Sequence, residues 1–331
     1  MDIAHYRLMN QQLTRSAFSE PGELISWMGC LQAEEYTSAK WAIGNRIPHI
    51  TDARIEKDFN EGRFFRAQVL RPAWHFVAPA DIGWLLNLSA HRIKAFYKQL
   101  HGKLDISNSD LKRSKHIITK ALTGGEKMTR NELLTLCLQA KMRTDEIRIN
   151  FLLMDAELDG LIVNGGRQGN EFTYELREER MPVMEKEAAI AELARRYFIS
   201  RGPATLPDFV WWSGLELAEA KMGLEMIKDG LQYAVINGEA YWFFETPVLQ
   251  EPDSVSLLPS FDEFTVGYKD RVDEYKPSII IDGQVAGTWK YSEKRHKIRI
   301  ETQLFVPLQE HAENAVLLAG REYARFLGKA I

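Results

Sequence analysis

Apolar positions in this chain recur mostly at three- and four-residue spacing, interrupted by short alternating runs that turn at glycine or asparagine. Ile3 to Leu13, Glu23 to Leu31 and Glu34 to Arg46 predict helices, with a shorter one from Thr51 to Asn60. Phe64 to Val77 is rich in Phe, Val, Trp and Arg, which predicts a hairpin with a bulge or edge at Pro72. Along it, Arg71, Ala73, His75 and Val77 should share one face, open to a phosphate, and Pro72, Trp74 and Phe76 the other, packed inward. Pro79 to Leu104 and Ser109 to Leu122 return to helical spacing, the second closed by Gly124-Gly125.

The clearest local pattern spans Thr129 to Leu176. Thr129 and Glu132 have capping-box spacing ahead of Leu133 and Leu134, and Thr144-Asp145 opens a second helix through Glu157. Leu161 to Val163 and Phe172 to Leu176 then predict strands around the turn Asn164 to Asn170. Helix, turn, helix, hairpin is a winged helix. After an acidic linker, Arg177 to Glu187, the order returns in Ala188 to Ser200, a helix opened by Thr205 to Asp208, Leu217 to Asp229, and a hairpin turning at Asn237-Gly238. Beyond Pro247 come a hairpin over Ile279 to Trp289, a strand over Lys297 to Phe305 and a helix over Glu310 to Leu327. The fold class expected is α+β: winged-helix modules over 1–104, 105–180 and 185–246, then a small mixed β module over 247–331.

Composition narrows the function. With 331 residues and 45% apolar content the chain builds several cores. The start carries Asp2, His5 and Arg7 without a signal-like apolar run, and no window approaches a membrane span, so a cytoplasmic protein is expected. Cys30 and Cys137 stand among apolar neighbours outside any metal-spaced cluster and read as small buried hydrophobes; neither a metal nor another cofactor is called for. A net charge of −4 argues against indiscriminate coating of nucleic acid, yet residues 91–150 hold 13 lysines and arginines against 6 acidic residues. Such a band is the footprint of a groove that tracks a phosphate backbone; a solvated helical face gives the same count.

Chemistry concentrates at Gln32 and Glu34, a polar pair at the break between two helices. Residues two apart in one helix point nearly opposite ways, so these two line one pocket only if a helix begins between them. The bland alternative is that Gln32 caps the second helix while Glu34 and Glu35 complement its positive end. The charges and aromatics of Leu258 to Arg271 read as an ion-pair staple holding modules together, or as a loop reaching a neighbouring site.

Several phrases, in order, resemble one family: Gln32-Ala33-Glu34, Leu70 to Phe76, Arg201 to Thr205 with Trp211 to Leu215, Leu258 to Arg271, and Gly287 to Lys290. Together they look like the bacterial winged-helix DNA-binding proteins related to the AlkZ DNA glycosylase, over nearly the whole chain. The resemblance implies tandem winged helices around a concave DNA-binding surface, and excision of bulky or crosslinking alkylpurines. It places Gln32 and Glu34 in the catalytic role, Gln32 positioning the attacking water and Glu34 deprotonating it or facing an oxocarbenium-like transition state. Two positions depart from the pattern. The family has Gln-x-Gln or Gln-x-Asp where this chain has Glu34, a mild change because a carboxylate accepts a proton; and Ala73 replaces a frequent threonine, which removes a DNA contact. Arg71, Trp74, His75, Arg143, Arg148 and Arg167 are the expected DNA contacts; for His75 a histidine satisfied by hydrogen bonds at a domain edge is an equal reading. The partner expected is double-stranded DNA, alkylated or crosslinked, bound by a monomer.

A non-catalytic DNA binder or transcriptional regulator is the alternative, and a protein-interaction scaffold a third. Against the regulator, the would-be recognition helices carry Asp145, Glu146, Asp155 and Glu157, or Glu216, Glu219 and Glu225, all repelled by phosphate.

Overall fold

The computed structural model describes residues 2–177, 183–245, 254–270, 275–305 and 307–331, with the backbone alone for 99–101. The middle of the expected acidic linker, the start of the last module at Pro247, and Arg271 lie outside these residues. The fold is mixed α+β, and the chain forms two compact units: Met1–Lys57 with Ile190–Ile331, and Asp58–Ala189.

The first unit opens with α1 (Ile3–Asn10), whose cap Asp2 accepts from the His5 N–H at 3.1 Å. The helix expected to reach Leu31 ends earlier: α2 spans Pro21–Met28 and stops at Gly29, with φ 78°. Leu31–Gln32 is instead the short extended segment β1, and α3 (Tyr36–Gly44) starts two residues later than expected. The chain enters the second unit within α4 (Asp52–Asn60).

There β2 (Phe65–Gln68) and β3 (Trp74–Val77) pair antiparallel, Arg66 opposite Phe76 and Ala67 opposite His75. Pro72 lies in the turn between them, where its missing N–H costs no ladder bond, so no strand is bulged by it. Helices α5 (Ile82–Lys103) and α6 (Asn108–Leu122) follow, α6 capped by a reciprocal Ser107–Asp110 box. Next come β4 (Met128–Thr129), α7 (Arg130–Gln139), α8 (Arg148–Leu158), β5 (Ile162–Gln168) and β6 (Glu171–Leu176). The capping box of Thr129 and Glu132 is present, and the sheet order is β4-β6-β5. Asn164 to Gln168, expected as loop, is strand; the register shift between Asn164 and Arg167 absorbs the two glycines as a bulge. Ile118, Leu133, Cys137, Ile149 and Leu152 are among the buried residues of this unit's helical core.

The chain re-enters the first unit within α9 (Lys186–Arg201), and α10 (Leu206–Ser213) and α11 (Leu217–Ile227) lead to β7 (Gln232–Ile236) and β8 (Glu239–Phe243). Ala204 bridges Trp242 in antiparallel fashion, as β4 bridges β6. The two stretches therefore share one order of elements: helix, bridging strand, helix, helix, hairpin. The last part holds β9 (Val255–Leu258), one turn of helix α12 (Glu263–Val266), β10 (Ser278–Ile281), β11 (Gln284–Lys294), β12 (Lys297–Leu304) and α13 (Glu310–Phe326), with sheet order β12-β11-β10-β9. The ring nitrogens of Trp41 and Trp289 donate to the Leu257 and Leu258 carbonyls at 2.7 and 2.8 Å, which ties α3 and β11 to β9.

Candidate active site

Cys30 is buried, and burial alternates only from Leu31 to Glu34. Leu31 and Ala33 are buried, Gln32 is half-buried and Glu34 is exposed. Gln32 closes β1 and Glu34 lies in the bend between it and α3, so solvent reaches both members of the pair at a strand end where the sequence suggested a helix break. The capping alternative does not hold for Gln32: the N-cap of α3 is Glu35, whose carboxylate accepts from Ser38 Oγ at 2.9 Å. Just beyond, Tyr36 Oη and Lys40 Nζ both donate to Glu56 Oε2, at 3.0 and 2.8 Å, and Lys40 also meets Asp52 at 2.8 Å. Those bonds tie α3 to α4 immediately after the polar pair.

On the inner side the backbone is held by two side chains from the other end of the unit. Glu263 Oε1 accepts from the Gln32 N–H at 2.8 Å, and its Oε2 accepts from Arg201 Nη2 at 2.6 Å and Trp212 Nε1 at 3.1 Å. Arg201 donates in turn to the carbonyls of Met28 at 2.7 Å and Cys30 at 3.1 Å, with its guanidinium 4.3 Å from the Trp212 ring centre. Arg201 and Glu263 are 0% and 1% exposed, so each charge persists only because the other is there. One residue earlier, Asp262 takes both terminal nitrogens of the buried Arg46 at 2.8 Å, a bidentate pair completed by the Gln11 and Ala42 carbonyls. The ion-pair staple read into Leu258 to Arg271 is thus real at Asp262 and Glu263. The sequence hid its partners, Arg46 and Arg201, and with them the residues that fix the Gln32 backbone.

The expected DNA contacts in the second unit divide. Arg71 is half-buried in the β2–β3 turn, and Trp74 is half-buried with the Arg66 guanidinium 4.4 Å from its ring centre. His75 is 0% exposed, with Nδ1 2.9 Å from the Ala73 carbonyl oxygen. It therefore offers no atom to an external phosphate, which corrects its reading as a surface contact. Both faces of β3 carry buried residues, contrary to the one polar face expected. Arg148 is corrected likewise: it is 4% exposed and donates to the Leu104 and Asp105 carbonyls, closing the C-terminal end of α5. Arg143 is exposed and paired with Asp105, and Arg167 is half-buried with Nη2 on the Asn170 carbonyl at 3.0 Å. Within the basic band, Lys94 and Lys115 are both held by Asp155 and Asp159, and Arg130 by Glu146 at 2.6 Å. Lys98, Lys103, Lys112, Lys120 and Lys141 are exposed and make no ion pair among the described residues.

A model of the AlkZ-like DNA glycosylases matches residues 25–326. The chain belongs to this family. Among solved structures, Streptomyces sahachiroi DNA glycosylase AlkZ has a similar fold, with a TM-score of 0.79 at 17% identity over 99% of this chain and 96% of that one. Comparison with curated proteins gives no match. The AlkZ-like span takes in the polar pair, its clamp and both buried carboxylates. No helix among the described residues is long and apolar enough to cross a membrane.

Proposed function

We propose that the protein is a monofunctional DNA glycosylase acting in the cytoplasm, as a monomer, on bulky or crosslinked alkylpurines in double-stranded DNA. Membership of a DNA glycosylase family sets the class of reaction. The observation that supports the residue assignment is that Gln32 and Glu34 are reached by solvent while Leu31 and Ala33 beside them are buried, in a segment clamped at the Gln32 N–H. Alkylation at N7 leaves the purine positively charged and ready to depart, so little acid catalysis is needed. As the bond to C1′ lengthens, positive charge grows on the deoxyribose, where the Glu34 carboxylate stabilises it. Water held by the Gln32 amide adds to C1′, its proton passes to Glu34 and then to solvent, and the products are a neutral alkylpurine and an abasic site.

The shared element order over 108–176 and 186–243 supports winged-helix modules, with the first segment a third copy. Arg71, Trp74, Arg143 and Arg167 remain the proposed DNA contacts, while His75 and Arg148 act on the fold from within. The burial of most of α8 weighs against a regulator, because a helix enclosed by its own unit has no face left for reading bases in a groove.

Purified protein incubated with a duplex carrying one 7-methylguanine should leave an alkali-labile abasic site. Gln32→Ala and Glu34→Ala should each slow base release by about 10²-fold or more. Wild-type rates in both variants would discard the assignment.

A further inference from the structure

We infer that Arg201 and Glu263 act as positioning residues for the polar pair, setting the register and direction in which Gln32 and Glu34 meet DNA. This rests on the glycosylase reading above for its catalytic consequence, though not for its geometry. Three anchor points fall on alternate residues: the Met28 carbonyl, the Cys30 carbonyl and the Gln32 N–H. These points span the end of α2, the Gly29 turn and β1. The clamp therefore holds the backbone on both sides of the turn and fixes Gln32 at the end of β1, two residues before Glu34.

Its own parts are fixed in several directions. Trp212 donates to Glu263 Oε2 and lies against the Arg201 guanidinium, and Ser200 Oγ accepts from Arg201 Nη1 at 2.8 Å. Glu263 stands in the first turn of α12, whose cap Asp262 is locked to Arg46. A catalytic pair needs its groups held within fractions of an ångström, and a segment with a glycine turn on one side and the three residues Ala33, Glu34 and Glu35 before α3 on the other lacks that rigidity alone. Arginine suits the role because one planar fork reaches two carbonyls and a carboxylate at once, which a lysine ammonium does not.

Two variants separate positioning from folding. Arg201→Lys keeps the buried charge pair and loses the fork; Arg201→Met with Glu263→Met removes both charges at similar volume, an exchange that buried pairs tolerate. Each is measured for kcat and KM on the 7-methylguanine duplex, for affinity to undamaged duplex, and for hydrogen exchange over 29–35. The expected result is kcat lowered at least tenfold, KM and duplex affinity within about threefold of wild type, and exchange over 29–35 at least tenfold faster. A role in stability alone would lower the melting temperature and leave kcat of the folded protein intact. Wild-type kcat in the folded double variant, or unchanged exchange over 29–35 in both variants, overturns the inference. Should the wild-type protein release no base, the glycosylase reading falls, and the exchange measurement alone decides whether the clamp holds the strand.

Discussion

Glu157 is enclosed in α8 with its Oε1 3.2 Å from Asn164 Nδ2. Burial pushes its carboxyl up to about 8, against the smaller opposing pull of the Arg66 guanidinium. In the unfolded chain the same group titrates near 4.5. Between these values the native protein holds a proton that the unfolded chain has lost, so Glu157 withdraws stability as pH rises from about 4.5 and the loss levels off above about 8. Glu157→Gln is neutral throughout and keeps an oxygen for Asn164. Thermal melts should therefore show the variant more stable than wild type by several degrees at pH 8, with the gap closing towards pH 5. A gap of equal size at both pH values would mean that Glu157 is not the titrating group. Burial pushes the Cys137 thiol up as well, in keeping with the small buried hydrophobe expected from its apolar neighbours.

Among the elements, the passage from α2 to β1 turns on Gly29, at φ 78° and ψ −48°. An added Cβ would meet Arg196 Cβ and Trp212 Cη2 at 3.6 Å, ordinary contacts, so the penalty for a side chain there is conformational. Gly29→Ala should cost about 1–3 kcal/mol in urea unfolding; a change below about 0.5 kcal/mol would show that the turn relaxes to another shape. This turn also marks where sequence reading failed. Leu31 continues the apolar spacing of α2, and only the glycine directly after the buried Met28 signals the stop. Signals confined to four residues read correctly: the box at Thr129–Glu132, the helix start at Thr205 to Asp208, and the hairpin turn at Asn237-Gly238. Gly165-Gly166 misled because a bulge and a turn use the same residues. Arg201 and Arg46 find their carboxylates 62 and 216 residues away, and no periodicity encodes a partner at that distance.

For the molecule as a whole, net charge says little and the state of each cation says more. Of the basic band, Lys94 and Lys115 neutralise Asp155 and Asp159, Arg148 is spent on the end of α5, and Arg130 and Arg143 have acidic neighbours. A tally of the sequence counts these with the rest, and so overstates what is left for phosphate. Five exposed lysines outside any ion pair among the described residues, Lys98, Lys103, Lys112, Lys120 and Lys141, can displace counterions from DNA without first breaking an internal pair, whereas the exposed Lys127 is held by Glu175. Changing all five to glutamine should leave the melting temperature within about two degrees and lower the salt slope of duplex binding by about one unit for each lysine that touches a phosphate. Lys94→Gln with Lys115→Gln should do the reverse, destabilising α8 by leaving the buried Asp155 carboxylate and the exposed Asp159 beside it without a cation while the salt slope holds. Binding isotherms across a salt series distinguish the two sets. An unchanged slope in the five-lysine variant would remove the band from the DNA path and assign its charge to solvated helix faces, leaving Arg71 and Arg167 to carry the contact.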